Sequence, residues 1–251
     1  IVNRIGSKKG GSDALNWDSM TILLDEIEKW KWRSIDPIDC RDFCTIWFWG
    51  ALRPIEAFTS ICQHRTQSTA QGFLEIQAWD AKTALPMDDV QSVVLPNLIN
   101  GEEEVPCIIS IDTPDFASNP LDRTNKYCPA KAFRALVMRH PDRPETSLLR
   151  NTKSGLPISQ DNFARQFREF KNNLIPLIHP NNLRKRKGAR ISPYVFRVSM
   201  LNFIVNEMQL GAWDLQQISR HRNFATAEKY YLKHTLSAQK AQTASKLQVG
   251  F

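Results

Sequence analysis

The chain has 251 residues, of which 42% are hydrophobic and 24% are charged, and its formal charge at pH 7 is +7. This length and balance are typical of one large globular core with or without a small appendage, and they exclude a low-complexity chain. The positive charge favours a polyanionic partner such as nucleic acid, although many basic proteins bind none.

The five cysteines are odd in number and scattered, which excludes a disulfide framework and paired CxxC zinc knuckles and fits a reducing cytosol best. Cys40 and Cys44 lie in an apolar run, and we interpret them as small core residues of a helix, not as metal ligands. No signal peptide is visible, and the longest apolar stretch, residues 43–52, is about half of what crosses a bilayer. Because the sequence begins at Ile1 and not at Met, we expect it to be a fragment.

The first predicted helices follow residues 1–14, a segment whose glycine, serine and lysine content is typical of a linker or frayed terminus. Apolar residues recurring at intervals of three and four predict an amphipathic helix over residues 18–32. A more deeply buried helix is predicted over residues 42–52, and Pro54 must break or restart it.

The pattern changes between residues 72 and 96, where FLEIQAW alternates apolar and polar residues and SVVLP is again β-rich. This predicts a β-hairpin or a small sheet. Residues 100–144 carry an EEE run and several prolines, and we expect short helices there.

The last third of the chain is predicted to be helical. Ser159 is a candidate N-cap for a helix through QDNFARQFREF, whose Phe163, Phe167 and Phe170 share a face that we expect in the core. Further helices are predicted over residues 195–207, 213–219, 225–231 and 236–247. The predicted fold is therefore mainly α with a small antiparallel β-sheet or hairpin, an α+β arrangement.

The segment GALRPIE combines an arginine and a glutamate at the end of the second predicted helix. The planar guanidinium of Arg53 suits bidentate contact with a phosphate. Taken alone, however, this segment is better interpreted as a surface ion pair between Arg53 and Glu56.

Two later segments add groups that suit phosphate chemistry. In SPYVFRVSMLNF, Tyr194 and Arg197 are three residues apart on the first turn of a predicted helix, so both point the same way. In ISRHRNFATAEKYY, His221 precedes Tyr230 by nine residues. That interval accommodates a turn and two helical turns, which bring the tyrosine ring back toward the histidine.

Together these segments resemble the boxes of the tyrosine recombinase family, the phage-integrase type. The family pattern is a GxRxxE-like first box, an HxxR second box and a histidine nine residues before the nucleophilic tyrosine. The resemblance covers residues 46–231, with the order and approximate separations of the boxes kept. The matching residues are Arg53, Glu56, Tyr194, Arg197, His221 and Tyr230, and Gly50 lies three residues before Arg53, one residue further than the glycine of the pattern. At position 194 the family most often has histidine, and a phenol can still donate a hydrogen bond to a phosphate oxygen.

The resemblance also implies the chemistry of the site. Tyr230 would attack a DNA phosphate to form a 3′-phosphotyrosine link, and the nine-residue spacing selects it over Tyr231. Lys82 would be the family's β-hairpin lysine, since LP follows AKT thirteen residues later, and it would protonate the leaving 5′-hydroxyl. The basic residues and Tyr194 would bind the phosphate oxygens. Glu56 would orient them, a purely structural role being equally open, and no metal or other cofactor is implied.

The run LRKRKGAR lies just before the second box and is either a solvated loop or a contact with the DNA backbone. We favour the DNA contact because of its position. Its basic residues are Arg184, Lys185, Arg186, Lys187 and Arg190. Residues 15–235 would then form the DNA-cleaving domain, and residues 236–251 a tail that packs in cis or docks on a neighbouring protomer.

The function expected from the resemblance is that of a site-specific recombinase or integrase of a mobile element, acting as a homotetramer on paired sites in double-stranded DNA. We expect the protein in the bacterial cytoplasm, associated with the nucleoid when it is bound to DNA. A membrane partner is not expected. The alternatives are a type IB topoisomerase-like or hairpin-resolving enzyme, and a catalytically impaired DNA-binding relative. A helical protein-interaction module is disfavoured because it would not require these residue types in this order.

Overall fold

The computed structural model describes residues 14–68, 74–78, 107–111, 127–178, 191–206 and 219. These residues are mostly helical. The helices are α1 (Trp17–Lys29), α2 (Pro37–Trp49), α3 (Pro54–Ser60), α4 (Pro129–Arg139), α5 (Gln160–Ile178) and α6 (Val195–Asn206). The strands β1 (Thr66–Ser68), β2 (Leu74–Ala78) and β3 (Cys107–Ile111) pair antiparallel in that order. The expected linker up to residue 13, the strand at 92–96 and the last two predicted helices lie outside the described residues, as does the helix predicted at 213–219 except for Ser219.

Helix α1 begins at a side-chain cap and ends earlier than the predicted 18–32. The Asn16 side chain accepts a hydrogen bond from the Ser19 N–H at 3.0 Å, which satisfies one donor at the helix start. At the other end the buried Trp32 turns back, and its indole N–H donates to the Ile27 carbonyl at 2.9 Å. That indole occupies a carbonyl that the helix end leaves open, so the helix stops at Lys29.

Helix α2 begins at Pro37, five residues before the predicted start at residue 42. The Asp36 carboxylate accepts hydrogen bonds from the Ile38 and Asp39 N–H groups at 2.9 and 3.1 Å. Proline is favoured at the first helical position, where its missing N–H costs nothing. This Asp-Pro start precedes the apolar run from which the helix was predicted. The chain then restarts as α3 at Pro54, as that proline predicted.

Helix α2 forms the centre of the core and is buried on most of its surface. Its Trp47 lies 5.6, 5.8 and 5.0 Å from the ring centroids of Phe58, Phe163 and Phe196, which belong to α3, α5 and α6. One indole therefore joins four helices. Cys40 and Cys44 are buried on this helix, as expected for small core residues.

The phenylalanine face of α5 lies in the core, which confirms the prediction made from its spacing. Phe163 and Phe167 are 0% exposed and Phe170 is 1% exposed. The Ser159 hydroxyl accepts a hydrogen bond from the Asn162 N–H at 3.2 Å, so the predicted N-cap is also present.

Strand β2 coincides with the first half of the predicted hairpin and pairs with β1 and β3. The second half, SVVLP, lies outside the described residues, so that hairpin stays a prediction. The expectation of short helices over residues 100–144 was right for α4 and wrong for Cys107–Ile111. CIISI is rich in β-branched residues and pairs along its whole length with β2, which explains its extended conformation.

Helices α2 and α4 run antiparallel and are tied together at both ends. At one end the Trp49 indole donates to the Tyr127 carbonyl at 2.9 Å. At the other end Arg139 binds two buried carboxylates, with Nε 2.6 Å from Asp39 Oδ1 and Nη2 2.5 Å from Asp42 Oδ2. Arg41 and His140 complete this ionic cluster through Asp42 and Asp39. Burial raises the pKa of Asp42, against the lowering effect of the Arg41 and Arg139 guanidiniums.

Among the described helices, none combines the length and apolar character that crossing a lipid bilayer requires.

Candidate active site

The turn between α2 and α3 carries the first predicted box. The Ala51 N–H donates to the Phe48 carbonyl at 2.9 Å and the Leu52 N–H donates to the Trp47 carbonyl at 3.3 Å. This pair of bonds is the Schellman pattern, whose left-handed position is normally occupied by glycine. Here that position is Ala51, with φ of +44°. Gly50, the conspicuous glycine of the box, is in the right-handed region.

Arg53 and Glu56 form the ion pair that the isolated segment predicted, but it is not an ordinary surface pair. The Glu56 side chain is 1% exposed, and its two oxygens accept from the Arg53 backbone N–H at 2.6 Å and from Arg53 Nη1 at 2.7 Å. Arg53 is the N-cap residue of α3, so its backbone and side chain are held by one carboxylate. Glu56 therefore fixes where the partly exposed Arg53 guanidinium lies.

Tyr194 and Arg197 lie at the start of α6, where the sequence predicted a helix. Tyr194 is half-buried in the turn that precedes the helix, and its carbonyl accepts the Val198 N–H at 3.1 Å. Arg197 points inward and is 0% exposed.

The Arg197 guanidinium bridges two distant parts of the chain. Its Nη1 donates to the Ala51 carbonyl at 2.5 Å, and its Nη2 donates to the Ser219 carbonyl. Ala51 precedes Arg53 by two residues, and Ser219 precedes His221 by two. These two backbone carbonyls orient the Arg197 guanidinium where two of the predicted boxes meet.

The Arg197 side chain thus contacts Ala51, two residues before Arg53, and Ser219. Up to 168 residues separate these positions in the sequence. The predicted site residues Lys82, His221 and Tyr230 lie outside the described residues. So does the basic run, that is Arg184, Lys185, Arg186, Lys187 and Arg190.

Sequence reasoning missed Ala51 and Ser219. Both act through backbone carbonyls, and an acceptor that every residue possesses gives no signal in a sequence. Ala51 could have been noticed as the residue that occupies the glycine position of the GxRxxE pattern, two residues before Arg53. In the described parts of the chain, no three His, Cys, Asp or Glu side chains are grouped so that they could hold a metal ion.

No protein-family profile and no curated protein matches the sequence. Solved structures do match it. The XerH site-specific recombinase bound to its difH substrate, a pre-cleavage complex, has a TM-score of 0.55 at 14% identity, covering 86% of this chain and 49% of that chain. XerH bound to palindromic difH, a post-cleavage complex, has a TM-score of 0.58 at 14% identity, covering 94% and 53%.

The integrase of transposon Tn1549 in complex with transposon right end DNA has a TM-score of 0.58 at 12% identity, covering 95% of this chain and 67% of that chain. The chain spans about half the length of the XerH chains that it matches. Its fold is shared with these recombinase and integrase structures.

Proposed function

We propose that this chain is the catalytic domain of a site-specific DNA recombinase that cleaves and rejoins double-stranded DNA through a 3′-phosphotyrosine intermediate. The observation that carries the proposal is the bridge made by Arg197, which joins the carbonyl two residues before Arg53 to the carbonyl two residues before His221. The likeness in fold to XerH and to the Tn1549 integrase, both in complexes with DNA, supports it. The formal charge of +7 favours the same partner.

Arg53 and Arg197 would stabilise the negative charge on the phosphate oxygens during the reaction. A phosphodiester resists attack because its anionic oxygens repel a nucleophile, so the site needs cationic donors that bind more strongly as charge builds up. Arg53, held by Glu56, and Arg197, held by two carbonyls, would bind the non-bridging oxygens. The Tyr194 hydroxyl would donate a further hydrogen bond to them.

The covalent chemistry would be carried out by Tyr230, His221 and Lys82. The Tyr230 phenol oxygen attacks phosphorus while its proton passes to His221. The bond from phosphorus to the 5′-oxygen breaks, and Lys82 gives a proton to that leaving oxygen. The new phosphotyrosine ester keeps the energy of the broken bond, so the 5′-hydroxyl of another strand can reverse the step without a metal or other cofactor.

The remaining assignments concern assembly and DNA contact. We assign cleavage to residues 15–235, with Lys82 on the predicted β-hairpin whose first strand is β2. The basic run at residues 184–190 contacts the DNA backbone, and residues 236–251 form a tail. A homotetramer on paired sites, in a bacterial cytoplasm, is the form in which strand exchange would occur.

A second candidate is a DNA-binding relative that does not cleave. Two observations favour it: Arg197 is 0% exposed, and position 194 holds a tyrosine. A phosphate would have to reach a guanidinium that is enclosed by protein. This candidate shares the DNA partner of the first and lacks the covalent step.

Covalent capture tests the proposal. The protein is incubated with a pool of nicked duplexes of randomised sequence, and adducts that survive detergent are scored by gel. We expect adducts from the unaltered protein and from Tyr231→Phe, and none from Tyr230→Phe. Adducts lost only in Tyr231→Phe would show that the nucleophile is wrongly assigned. DNA retained without any adduct would support the second candidate.

A related enzyme that relaxes or resolves DNA would also form the adduct. Strand transfer between two duplexes carrying the captured sequence is expected for a recombinase. Relaxation of a single supercoiled circle without transfer would identify the topoisomerase-like alternative.

A further inference from the structure

The left-handed turn at Ala51 is unfavourable in itself. An L-residue with φ of +44° brings its Cβ close to the following carbonyl oxygen, which is why glycine predominates in this position. Ala51 is also 0% exposed, so its conformation is fixed by surrounding protein. Unfavourable backbone that the surroundings enforce is found most often where geometry matters for function.

Two consecutive carbonyls of this turn have defined side-chain donors. The Ala51 carbonyl accepts from Arg197 Nη1 at 2.5 Å, and the Leu52 carbonyl accepts from the Trp47 indole N–H at 2.9 Å. A right-handed Ala51 would rotate its peptide planes and aim its carbonyl elsewhere. The left-handed conformation is therefore what places an acceptor in front of Arg197.

The same turn leads directly into Arg53. Leu52 separates Ala51 from Arg53, and the Arg53 backbone N–H is fixed by the buried Glu56 carboxylate at 2.6 Å. The carbonyl that orients Arg197 therefore lies only two residues before the residue that carries the second guanidinium.

We propose that Ala51 is a positioning residue, whose left-handed turn holds the Arg197 guanidinium in register with Arg53 for binding one phosphate. This inference rests on the proposed function, because it assigns a role within the same site. It predicts that distorting the turn slows strand cleavage more than it weakens DNA binding, since DNA affinity comes mainly from other phosphate contacts.

The chain contains a matched control for this turn. Gly155 is also left-handed, with φ of +66°, and its carbonyl also accepts from a buried arginine, Arg150 Nη1, at 3.1 Å. Valine at either position is strained, because a β-branched residue disfavours positive φ. Ala51→Val and Gly155→Val therefore impose the same kind of backbone strain, and only the first touches the proposed site. Ala51→Val also adds two methyl groups to a fully buried position, whereas Gly155 has open space around it, so Gly155→Val controls for the backbone strain alone.

The test measures single-turnover cleavage of a nicked duplex selected by covalent capture, at saturating DNA. A variant that is partly unfolded lowers the fraction of DNA cleaved, whereas a displaced arginine lowers the rate constant. We expect Ala51→Val to lower the rate constant at least about tenfold, which corresponds to about 1.4 kcal/mol, with the dissociation constant for DNA within about twofold. Gly155→Val should keep the rate constant within about twofold of the unaltered protein.

Two milder variants keep the test decisive if Ala51→Val folds poorly. Ala51→Gly retains the left-handed turn and should keep the rate constant within about twofold of the unaltered protein. Trp47→Phe keeps an aromatic ring in the core and removes the donor to the Leu52 carbonyl, so it should lower the rate constant about threefold. Circular dichroism and thermal unfolding establish that each variant is folded.

The outcomes separate the two proposals. If the unaltered protein cleaves and Ala51→Val and Trp47→Phe cleave with the rate constant of Gly155→Val, the positioning role is wrong while the proposed function stands. If the unaltered protein forms no adduct with any DNA of the pool, the proposed function fails, and the positioning role fails with it.

Discussion

Ala51 combines an alanine side chain with φ of +44° in a fully buried turn. Replacing it by glycine removes the clash between Cβ and carbonyl oxygen, which outweighs the extra freedom that glycine gains in the unfolded chain. We expect Ala51→Gly to raise the free energy of unfolding by about 0.5–1 kcal/mol, measured by urea denaturation.

Gly155 provides the converse experiment. It has φ of +66°, and an added Cβ would meet nothing within 4 Å, so the only cost of Gly155→Ala is that of the backbone. A loss of about 1 kcal/mol is expected. If both substitutions shift stability in the same direction, the left-handed assignment at Ala51 is incorrect.

The hydroxyl of Tyr127 has a raised pKa, which leads to a prediction of how stability depends on pH. Burial raises its pKa, and so does the hydrogen bond from its hydroxyl to Asp25 Oδ1 at 2.7 Å. Because the folded pKa lies above the ordinary value of 10.0, this group contributes stability that is complete below pH 10.0 and is lost as pH rises through the folded pKa.

The phenolate absorbance can report this shift directly. The difference between the titration curves of the unaltered protein and Tyr127→Phe isolates one tyrosine among four. We expect its midpoint above pH 10.0 in the folded protein and near pH 10.0 in denaturant. A folded midpoint at or below the denatured one would contradict the buried contact with Asp25.

Individual residues were predictable where a side chain carries the role. The pairing of Arg53 with Glu56 follows from their spacing. The burial of Arg197 was not predicted, because an arginine is normally exposed unless it is paired. The carbonyls of Ala51 and Ser219 were not predictable, because their role depends on backbone direction, which no side chain at those positions encodes.

Between elements, the ionic cluster that joins α2 to α4 offers a sharp test. Asp39 and Asp42 are buried, and Arg139 binds both of them. Removing that arginine leaves buried carboxylates with fewer partners, which is costly in a medium that solvates charge poorly. Arg41 and His140 still hold one carboxylate each, so we expect Arg139→Met to lower the free energy of unfolding by about 2 kcal/mol.

The matched control is an ion pair on the protein surface. Lys29 lies 2.8 Å from Glu26, and its side chain is 68% exposed. Water and salt already screen that pair, so Lys29→Met should change stability by less than about 0.5 kcal/mol. Equal effects of the two substitutions in urea denaturation would mean that the cluster does not join α2 to α4 in solution.

The helices were predictable from apolar periodicity, whereas their ends and the strand pairing were less so. The phenylalanine spacing identified the buried face of α5, but the start of α2 is set by Asp36 and Pro37, outside its apolar run. Strand β3 depends on pairing with β2, some thirty residues earlier. Such pairing is a tertiary property that a local pattern does not contain.

On the scale of the whole molecule, the candidate site is made by long-range contacts. The Arg197 bridge joins residues 146 positions apart on one side and 22 on the other. The order of the boxes indicated which residues belong together, and the fold supplies the distances. Lys82, His221 and Tyr230 remain predictions of the sequence, to be tested by covalent capture.

The charge of the molecule leads to a prediction about DNA binding. Each phosphate contact made by a lysine or arginine releases counterions, so the logarithm of the binding constant falls with the logarithm of salt concentration by about 0.9 for each contact. If the basic run contacts the backbone, Arg186→Gln with Lys187→Gln should make the slope shallower by about 1.8, measured by fluorescence anisotropy of a labelled duplex.

A second double variant separates local contact from overall charge. Lys29 and Lys31 are exposed at the end of α1 and just beyond it, and replacing both by glutamine lowers the net charge by the same two units. A contribution from the general field of the protein would shift both variants alike, because it depends on total charge and is screened by salt. We expect the slope to change only in the variant of the basic run. Equal shifts would show that residues 184–190 are a solvated loop, and the DNA contacts would then have to lie elsewhere on the protein.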